Sequence, residues 1–206
     1  MATNYEPAIA HLQAADPLLA PVIVAVGACE LSPTGHSFAT LADAIVSQQI
    51  SIQAAAAIGL RLAAAVGGTI TPAALLATPD EALRAAGLSG QKVRYLRDLA
   101  VYGTTEAFAQ LPEQGDEAAI AALTAVKGVG RWTAEIYLMF ALGRLDILPA
   151  DDLGLRYAVQ QLYGHAAPPP AKAVRALGEL WCPYRSVAAW YLWRARRLPG
   201  VLSATG

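Results

Sequence analysis

Apolar residues recur along most of the chain at intervals of three and four, which is the spacing of one face of an α-helix. The β-branched runs are short and do not alternate with polar residues, so no strand is predicted. Cap residues mark several helix starts: Thr71-Pro72 and Thr78-Pro79 each predict an N-cap followed by proline, and Ser89 predicts a third cap. The pattern therefore predicts an all-α fold, with its clearest helices over residues 5–14, 17–26, 37–48, 51–66, 90–102, 117–126, 131–142, 153–163, 171–181 and 184–197.

Composition limits the class of protein. The chain has 206 residues, of which 55% are hydrophobic, enough for one large domain or two close lobes. No apolar run reaches the roughly eighteen residues of a membrane span, and no secretory leader is expected. The two cysteines, Cys29 and Cys182, are too few for a zinc or iron–sulfur site and suit a reducing compartment.

Charge is balanced overall but unevenly distributed. The formal net charge is −1, which alone argues weakly against a nucleic-acid partner. No lysine or arginine precedes Arg61, whereas later cations cluster over 84–97, 127–131 and 185–197. The folded chain could therefore present one basic face, although ordinary solvated helix surfaces explain the same pattern.

The segment LTAVKGVGRWTAEIYLMFALGRLDILPADD, residues 123–152, carries the strongest chemical signal. Gly128 and Gly130 surround Val129 just before a predicted helix, and backbone N–H groups of such a turn can bind a phosphate. Lys127 and Arg131 flank the turn with positive charge. The alternative is a plain connection between two helices, with glycine as a C-cap.

Asp151 and Asp152 end this segment, and only one of them can cap the next helix. We assign Asp151 to the cap and Asp152 to the first turn, where its carboxylate could act as a base or an anionic stabiliser. A phosphate-binding turn followed by an acid is typical of nucleases, phosphatases and glycosylases. Hydrolysis by metal ions would need several acids, and Asp146 is the only other one nearby.

Two further groups are candidates for contact with a ligand. Trp132 lies in the first turn of a helix beside the glycines, where a core residue is less expected, and Trp190 and Trp193 share a helix face. Gln48 and Gln49 interrupt an apolar run at a helix junction. These amides are either buried hydrogen-bonding groups or contacts to a DNA groove.

Taken together, these residues resemble the helix-hairpin-helix DNA glycosylases, and within them the alkylbase type, DNA-3-methyladenine glycosylase II. The resemblance follows the family's order and is carried by IVSQQISIQAAAAIGLRL (45–62), AAGLSGQKVRYLRDLA (85–100), LTAVKGVGRWTAEIYLMFAL (123–142), LPADDLGLR (148–156) and WCPYRSVAAWYLWR (181–194). It implies an all-α fold of two lobes around a central cleft, with both terminal segments in one lobe and residues 50–145, approximately, in the other. It also implies that the extra N-terminal α/β domain of some bacterial relatives is missing.

The resemblance assigns roles to individual residues. Asp152 resembles the catalytic aspartate. Residues 126–130 resemble the hairpin that holds a DNA phosphate, and Gln49 stands at the position of a wedge, where a bacterial relative has an aliphatic residue. The expected base pocket is Trp132, Trp193 and Ile136, and the expected DNA contacts are Gln48, Gln49, Lys127, Gly128, Val129, Gly130, Arg131 and Thr133. The carbonyl groups of Thr124, Val126 and Val129 could hold a monovalent cation.

The implied activity is hydrolysis of the N-glycosidic bond of alkylated bases, such as 3-methyladenine and 7-methylguanine, which leaves an abasic site for base excision repair. Trp132 replaces the nucleophilic lysine of bifunctional relatives, so no strand cleavage is expected. No cofactor is required, and no iron–sulfur cluster is expected, because that needs four cysteines.

The expected partner is double-stranded DNA that contains alkylated bases. The protein is expected to be a monomer and not to associate with a membrane. The expected location is the cytoplasm and nucleoid of a bacterium, or the nucleus of a eukaryote. The rival hypotheses are a non-catalytic helix-hairpin-helix DNA-binding module, a glycosylase for oxidised or mismatched bases, and a protein that binds a small molecule.

Overall fold

A computed structural model describes residues 4–202, with the side chain of Ile52 left out. Within that range the chain forms thirteen α-helices and two short 3-10 helices, and no strand. The predicted all-α class is thus confirmed. The α-helices are α1 (Glu6–Ala15), α2 (Leu19–Val26), α3 (Phe38–Ser47), α4 (Ile52–Ala65), α5 (Pro72–Ala77), α6 (Asp80–Ala85), α7 (Gly90–Gly103), α8 (Glu106–Ala109), α9 (Asp116–Thr124), α10 (Arg131–Phe140), α11 (Leu153–Tyr163), α12 (Ala171–Gly178) and α13 (Arg185–Ala195).

Side-chain caps begin several of these helices where the sequence predicted them. The Thr71 hydroxyl accepts a hydrogen bond from the N–H of Ala74 at the start of α5. The Ser89 hydroxyl accepts one from the N–H of Lys92 at the start of α7. Thr78 was wrongly predicted as a cap. Its hydroxyl donates back to the carbonyl of Ala74 instead, and α6 begins one residue later than predicted.

Several helices end before the residue that the sequence predicted, as the predicted helices over 117–126 and 184–197 do at Thr124 and Ala195. The predicted helix over 131–142 ends at Phe140, shortly before Gly143, whose φ is +70°. The predicted helix over 171–181 ends at Gly178 and continues as the 3-10 helix Glu179–Trp181. The short helix α8 and the 3-10 helix Leu111–Glu113 were not predicted.

One compact unit is the continuous segment Thr34–Tyr137, called here the hairpin unit. It contains α3 to α9 and most of α10, and α7 packs on both α3 and α5 at its centre. The apolar faces predicted from the sequence form its core, where Leu41, Ile45, Leu75 and Leu96 are fully buried. The two longest helices, α4 and α7, have Ser51 and Ser89 as N-caps, and these caps define where each first turn begins.

The second unit, called here the aspartate unit, comprises the described parts of Met1–Pro33 and Leu138–Gly206. In it α13 packs against α2 and α11, so the two ends of the chain share one core. Asp16, only 2% exposed, accepts hydrogen bonds from Tyr163 and Trp181 and joins α1 and α2 to the later helices. Lobe limits at residues 50 and 145 stay a prediction. None of the helices within residues 4–202 combines the length and the apolar character that a membrane crossing requires.

Candidate DNA-binding hairpin and active site

The hairpin lies between α9 and α10 and depends on a glycine at position 128. The N–H of Val129 donates to the carbonyl of Val126 at 3.1 Å, which closes the turn. Gly128 has φ +87°, and a Cβ there would lie 2.4 Å from the ring of Tyr95. Glycine is therefore required twice, by the left-handed backbone and by the aromatic ring packed against it.

The outer side of the hairpin is open to an anion. The N–H of Lys127 donates to Asp98 Oδ2 at 2.8 Å, which fixes the turn to α7, while the Lys127 side chain is exposed. A Cβ on Gly130 would meet no atom within 4 Å. The first turn of α10, whose N–H groups have no acceptor within their own helix, follows directly, so backbone donors and the exposed Lys127 side chain occur at the same turn.

Arg131 and Thr133 are held by the protein itself. The guanidinium of Arg131 contacts Glu117 at 2.6 Å and Glu135 at 2.9 Å, and the hydrogen bond to Glu117 is the main cause that raises its pKa. Thr133 is 6% exposed, so its side chain lies inside the unit and only its backbone can face a phosphate. Both residues were predicted DNA contacts, with Arg131 expected to flank the turn with its charge.

The two glutamines after α3 differ sharply in environment. Gln48 is half-buried and its Nε2 donates to the carbonyl of Gly128 at 2.8 Å, across eighty residues of sequence. Gln49 is exposed and has φ +59°, a left-handed conformation that costs a non-glycine residue about 1–2 kcal/mol. The sequence left open whether these amides are buried hydrogen-bonding groups or contacts to a DNA groove. In the structure Gln48 is a half-buried hydrogen-bond donor and Gln49 is exposed.

A cavity of about 520 Å³ joins the glutamines to the hairpin. Among its lining residues are Gln48, Gln49, Lys127, Gly128, Val129 and Gly130, so six of the eight predicted DNA contacts lie around one space. Lys92 also lines it, and burial lowers the pKa of its ammonium group. Lys92 was missed at the sequence level, because a lysine in the first turn of a helix carries no distinguishing pattern.

The three residues whose carbonyl groups are expected to hold a monovalent cation lie around this same space. Thr124, Val126 and Val129 all line this cavity. The Val126 carbonyl already accepts the N–H of Val129, which leaves its second lone pair for another partner. Carbonyl oxygens are ligands that hard cations prefer.

Asp152 is the N-cap of α11, and the assignment of the cap to Asp151 was wrong. Its Oδ1 accepts the N–H of Leu155 at 2.7 Å and the indole N–H of Trp193 at 2.8 Å. Asp151 instead forms a surface ion pair with Arg175 at 2.7 Å. The physical reason is that the carboxylate three residues before Leu155, and not the one four before it, reaches the N–H of the helix's third position.

The absence of a side chain at Gly154 leaves room for Arg196 to approach the Asp152 carboxylate. A Cβ at Gly154 would lie 3.0 Å from Asp152 Oδ1 and 3.1 Å from Arg196 Nη1. The guanidinium of Arg196 is therefore a neighbour of the carboxylate, and it also covers the ring of Tyr157 at 5.5 Å. Sequence analysis missed both Gly154 and Arg196, since neither belongs to a recognisable motif.

Trp193, and not Trp190, is the tryptophan of α13 that reaches Asp152. Its ring stacks with Phe140, with centroids 6.1 Å apart and planes at 25°. Trp190 is buried and has Arg194 over its ring at 5.3 Å. Stacking on one side and a hydrogen bond at its edge define the orientation of the Trp193 indole.

Asp146, the other acid near Asp152 in sequence, is occupied elsewhere. Its carboxylate accepts two hydrogen bonds of 2.7 Å from Arg185. Burial alone would raise its pKa, but these hydrogen bonds outweigh burial and hold the pKa below its usual value. Among the described residues no three histidine, cysteine, aspartate or glutamate side chains group as metal ligands.

The two predicted base-pocket residues of α10, Trp132 and Ile136, belong to the hairpin unit. Trp132 is 46% exposed, as its place in a first helical turn suggested, and Ile136 is half-buried one turn later. Nearly half of the surface of the Trp132 side chain is thus open to solvent. Trp193, the third predicted pocket residue, belongs to the aspartate unit.

If Asp152 is the catalytic aspartate that the resemblance implies, Trp193→Phe is expected to lower the rate of base release by about ten- to a hundredfold, because a hydrogen bond to a charged group contributes roughly 1.5–3 kcal/mol. The phenyl ring keeps the contact with Phe140. Single-turnover base release measures the effect, and Trp190→Phe on the same helix is the matched control. Equal losses in the two variants would contradict a specific role for the indole N–H.

The described helices, with the glycine turn between α9 and α10, define a helix-hairpin-helix protein. A model of the HhH-GPD superfamily of base excision DNA repair proteins matches residues 42–183. The chain belongs to this family.

Several relatives resemble the chain over nearly its whole length. The alkylbase DNA glycosidase-like protein mag2 of Schizosaccharomyces pombe is 31% identical, with 95% of this chain and 96% of the relative covered. The crystal structure of a DNA-3-methyladenine glycosidase from Bacillus halodurans matches with a TM-score of 0.86 and 38% identity, covering 95% and 92% of the two chains. The S. pombe 3-methyladenine DNA glycosylase Mag1, in complex with abasic DNA, matches with a TM-score of 0.80 and 32% identity, covering 94% and 98%.

Proposed function

We propose that the protein is a monofunctional DNA glycosylase that hydrolyses the N-glycosidic bond of alkylated bases in base excision repair. The observation that carries this proposal is the carboxylate of Asp152, which Leu155 and Trp193 hold in one orientation. The names of the relatives support the substrate class, since they are 3-methyladenine or alkylbase glycosylases. The complex of Mag1 with abasic DNA supports the product.

One carboxylate is enough for this chemistry. Alkylation at N3 of adenine or N7 of guanine makes the base cationic, so it leaves as a neutral group without a proton from an acid. Ordinary glycosidases need a second carboxyl group for that proton. Asp152 then stabilises the oxocarbenium-like sugar in the transition state, or orients the attacking water.

Trp132 gives the selectivity for a cationic base. Its exposed indole stacks on the flipped base, and Ile136, one turn later on α10, adds apolar surface. A desolvated cation–π contact between the indole and the base contributes about 2 kcal/mol. An indole cannot form a Schiff base with the sugar, so the reaction ends at the abasic site without strand cleavage.

The hairpin supplies binding that does not depend on sequence. Its N–H groups and Lys127 hold a backbone phosphate, with a monovalent cation at the carbonyls as a further part of this proposal. Gln49 fills the space that the flipped base leaves. The protein acts as a monomer on duplex DNA, in the cytoplasm and nucleoid of a bacterium or in the nucleus of a eukaryote.

The direct test is release of free bases from methylated duplex DNA, separated by chromatography. Release of 3-methyladenine and 7-methylguanine is expected, with strand breaks that appear only after alkali treatment. Breaks before alkali would refute the monofunctional mechanism. Binding without base release would favour the non-catalytic hairpin module instead.

Trp132→Ala is expected to reduce excision of cationic bases about tenfold or more, because the cation–π contact is lost. Affinity for a duplex with an abasic site, which has no base to stack, should change by less than about twofold. Fluorescence anisotropy gives the affinity and single-turnover release gives the rate. A parallel loss of both would show that Trp132 acts in binding and not in base recognition.

A further inference from the structure

We propose that Lys92 is a positioning residue for base flipping: it holds the glutamine turn, residues 48–49, at a fixed place beside the phosphate-binding hairpin. This proposal rests on the proposed function. Without Lys92, Gln49 would no longer meet the duplex at the base pair beside the phosphate that the hairpin holds. Lys92 need not contact DNA or the damaged base for this role.

The geometry of Lys92 is that of a bridge between two helices. From the first turn of α7 its Nζ donates to the carbonyl of Val46 at 2.6 Å and to that of Gln48 at 2.9 Å. These are among the last carbonyl groups of α3 and its cap, which have no partner within their own helix. A cation also interacts favourably with the C-terminal end of a helix dipole.

The same face of α7 holds the hairpin. Lys92, Tyr95 and Asp98 follow at intervals of three, so they lie along one side of the helix. The Tyr95 ring packs on Gly128, and Asp98 accepts the N–H of Lys127. One rigid helix face therefore sets the distance between the glutamine turn and the phosphate-binding turn.

The glutamine turn needs such external support. Gln49 has φ +59°, a conformation that a non-glycine residue keeps only when its surroundings enforce it. The hydrogen bonds of Lys92 lie immediately before Gln49, and Gln48 Nε2 on Gly128 gives a second link. Loss of Lys92 would leave the two orphan carbonyls to water and would let the exposed turn relax.

The consequence for the reaction is confined to the flipping step. Extrusion of a paired base breaks its pair and its stacking, whereas a base that is already unpaired needs less help. A displaced wedge should therefore slow excision of a paired lesion more than excision of the same lesion without a partner. A general loss of fold would slow both equally.

The experiment compares wild type, Lys92→Met and Lys92→Arg on two duplexes. One has 7-methylguanine opposite cytosine, and the other has it opposite an abasic-site analogue. For Lys92→Met we expect a single-turnover rate about tenfold lower on the paired lesion and within about twofold of wild type on the unpaired one. Lys92→Arg, which keeps a charged donor, should restore most of the rate. Lys172→Met, which removes the same charge at an exposed site on α12, is the control.

Equal losses on both duplexes, or no loss on either, would overturn the proposal, as would an equal effect of Lys172→Met. If Lys92→Met does not fold, Lys92→Gln, which keeps a neutral donor, is judged by the same ratio of rates. Fluorescence of 2-aminopurine placed beside the lesion reports base unstacking without chemistry. If the wild type released no base, the proposed function would fall alone, and a smaller fluorescence rise in Lys92→Met would still support the positioning role.

Discussion

Asp152→Asn is expected to lower the rate of base release by roughly a thousandfold, while the fold and the affinity for DNA should stay the same. Removal of one charge at about 4 Å, at an effective dielectric constant of about 20, corresponds to about 4 kcal/mol of transition-state stabilisation. The amide oxygen of asparagine can still accept the N–H groups of Leu155 and Trp193. Asparagine is also as good an N-cap as aspartate, so the substitution isolates the charge.

The matched control is Asp151→Asn, which removes a neighbouring charge and only a surface ion pair with Arg175. It should leave the rate of base release within about twofold of wild type, since exposed pairs contribute about 1 kcal/mol or less to stability. Single-turnover release and thermal unfolding are measured on both variants. Full activity in Asp152→Asn, or the same loss in Asp151→Asn, would refute Asp152 as the catalytic aspartate.

Gly128→Ala is the second change with a large expected effect, and it acts on binding. A Cβ at this position needs a left-handed backbone and lies 2.4 Å from the Tyr95 ring, so the hairpin or Tyr95 must move. The two effects together should lower the free energy of unfolding by about 2–4 kcal/mol. For a chain of this size that corresponds to a fall in Tm of roughly 5–15 °C.

Affinity for duplex DNA should fall about tenfold or more in Gly128→Ala, because the displaced turn no longer aims its N–H groups at the phosphate. The control is Gly130→Ala, where a Cβ meets no atom within 4 Å and Tm should change little. Differential scanning calorimetry and anisotropy titration measure the two quantities. A similar fall in Tm for both variants would show that the Tyr95 contact is not what demands glycine at position 128.

The elements governed by local rules were predictable from the sequence. Helix periodicity and the caps at Thr71 and Ser89 placed most helices within a few residues. Helical periodicity predicted the all-α class. The family was predicted from five segments that occur in the family's order, and each of them can be recognised from its own turn and cap residues. Local rules failed where two neighbours compete for one role, as with Asp151 and Asp152, since one residue of register decides which side chain reaches the helix.

Long-range contacts could not be predicted, and they define much of the candidate site. Arg131 stands beside the glycines, but Glu117 and Glu135 engage its guanidinium. Lys92 stands far from the hairpin in sequence, yet it supports the turn beside it. Contacts between residues that are far apart in sequence depend on how the helices pack. The spacing of residues along the chain does not predict that packing.

The order of the two units along the chain has a consequence for synthesis on the ribosome. All residues of the hairpin unit have emerged once Tyr137 is free, so that unit can fold while translation continues. Helices α1 and α2 emerge first, but Leu12, Leu19 and Asp16 are buried by contacts that include Tyr163, Trp181 and α13. At about 5–20 residues per second, this apolar surface waits at least several seconds for its partners, and exposed apolar surface of this kind is prone to aggregation and to binding by chaperones.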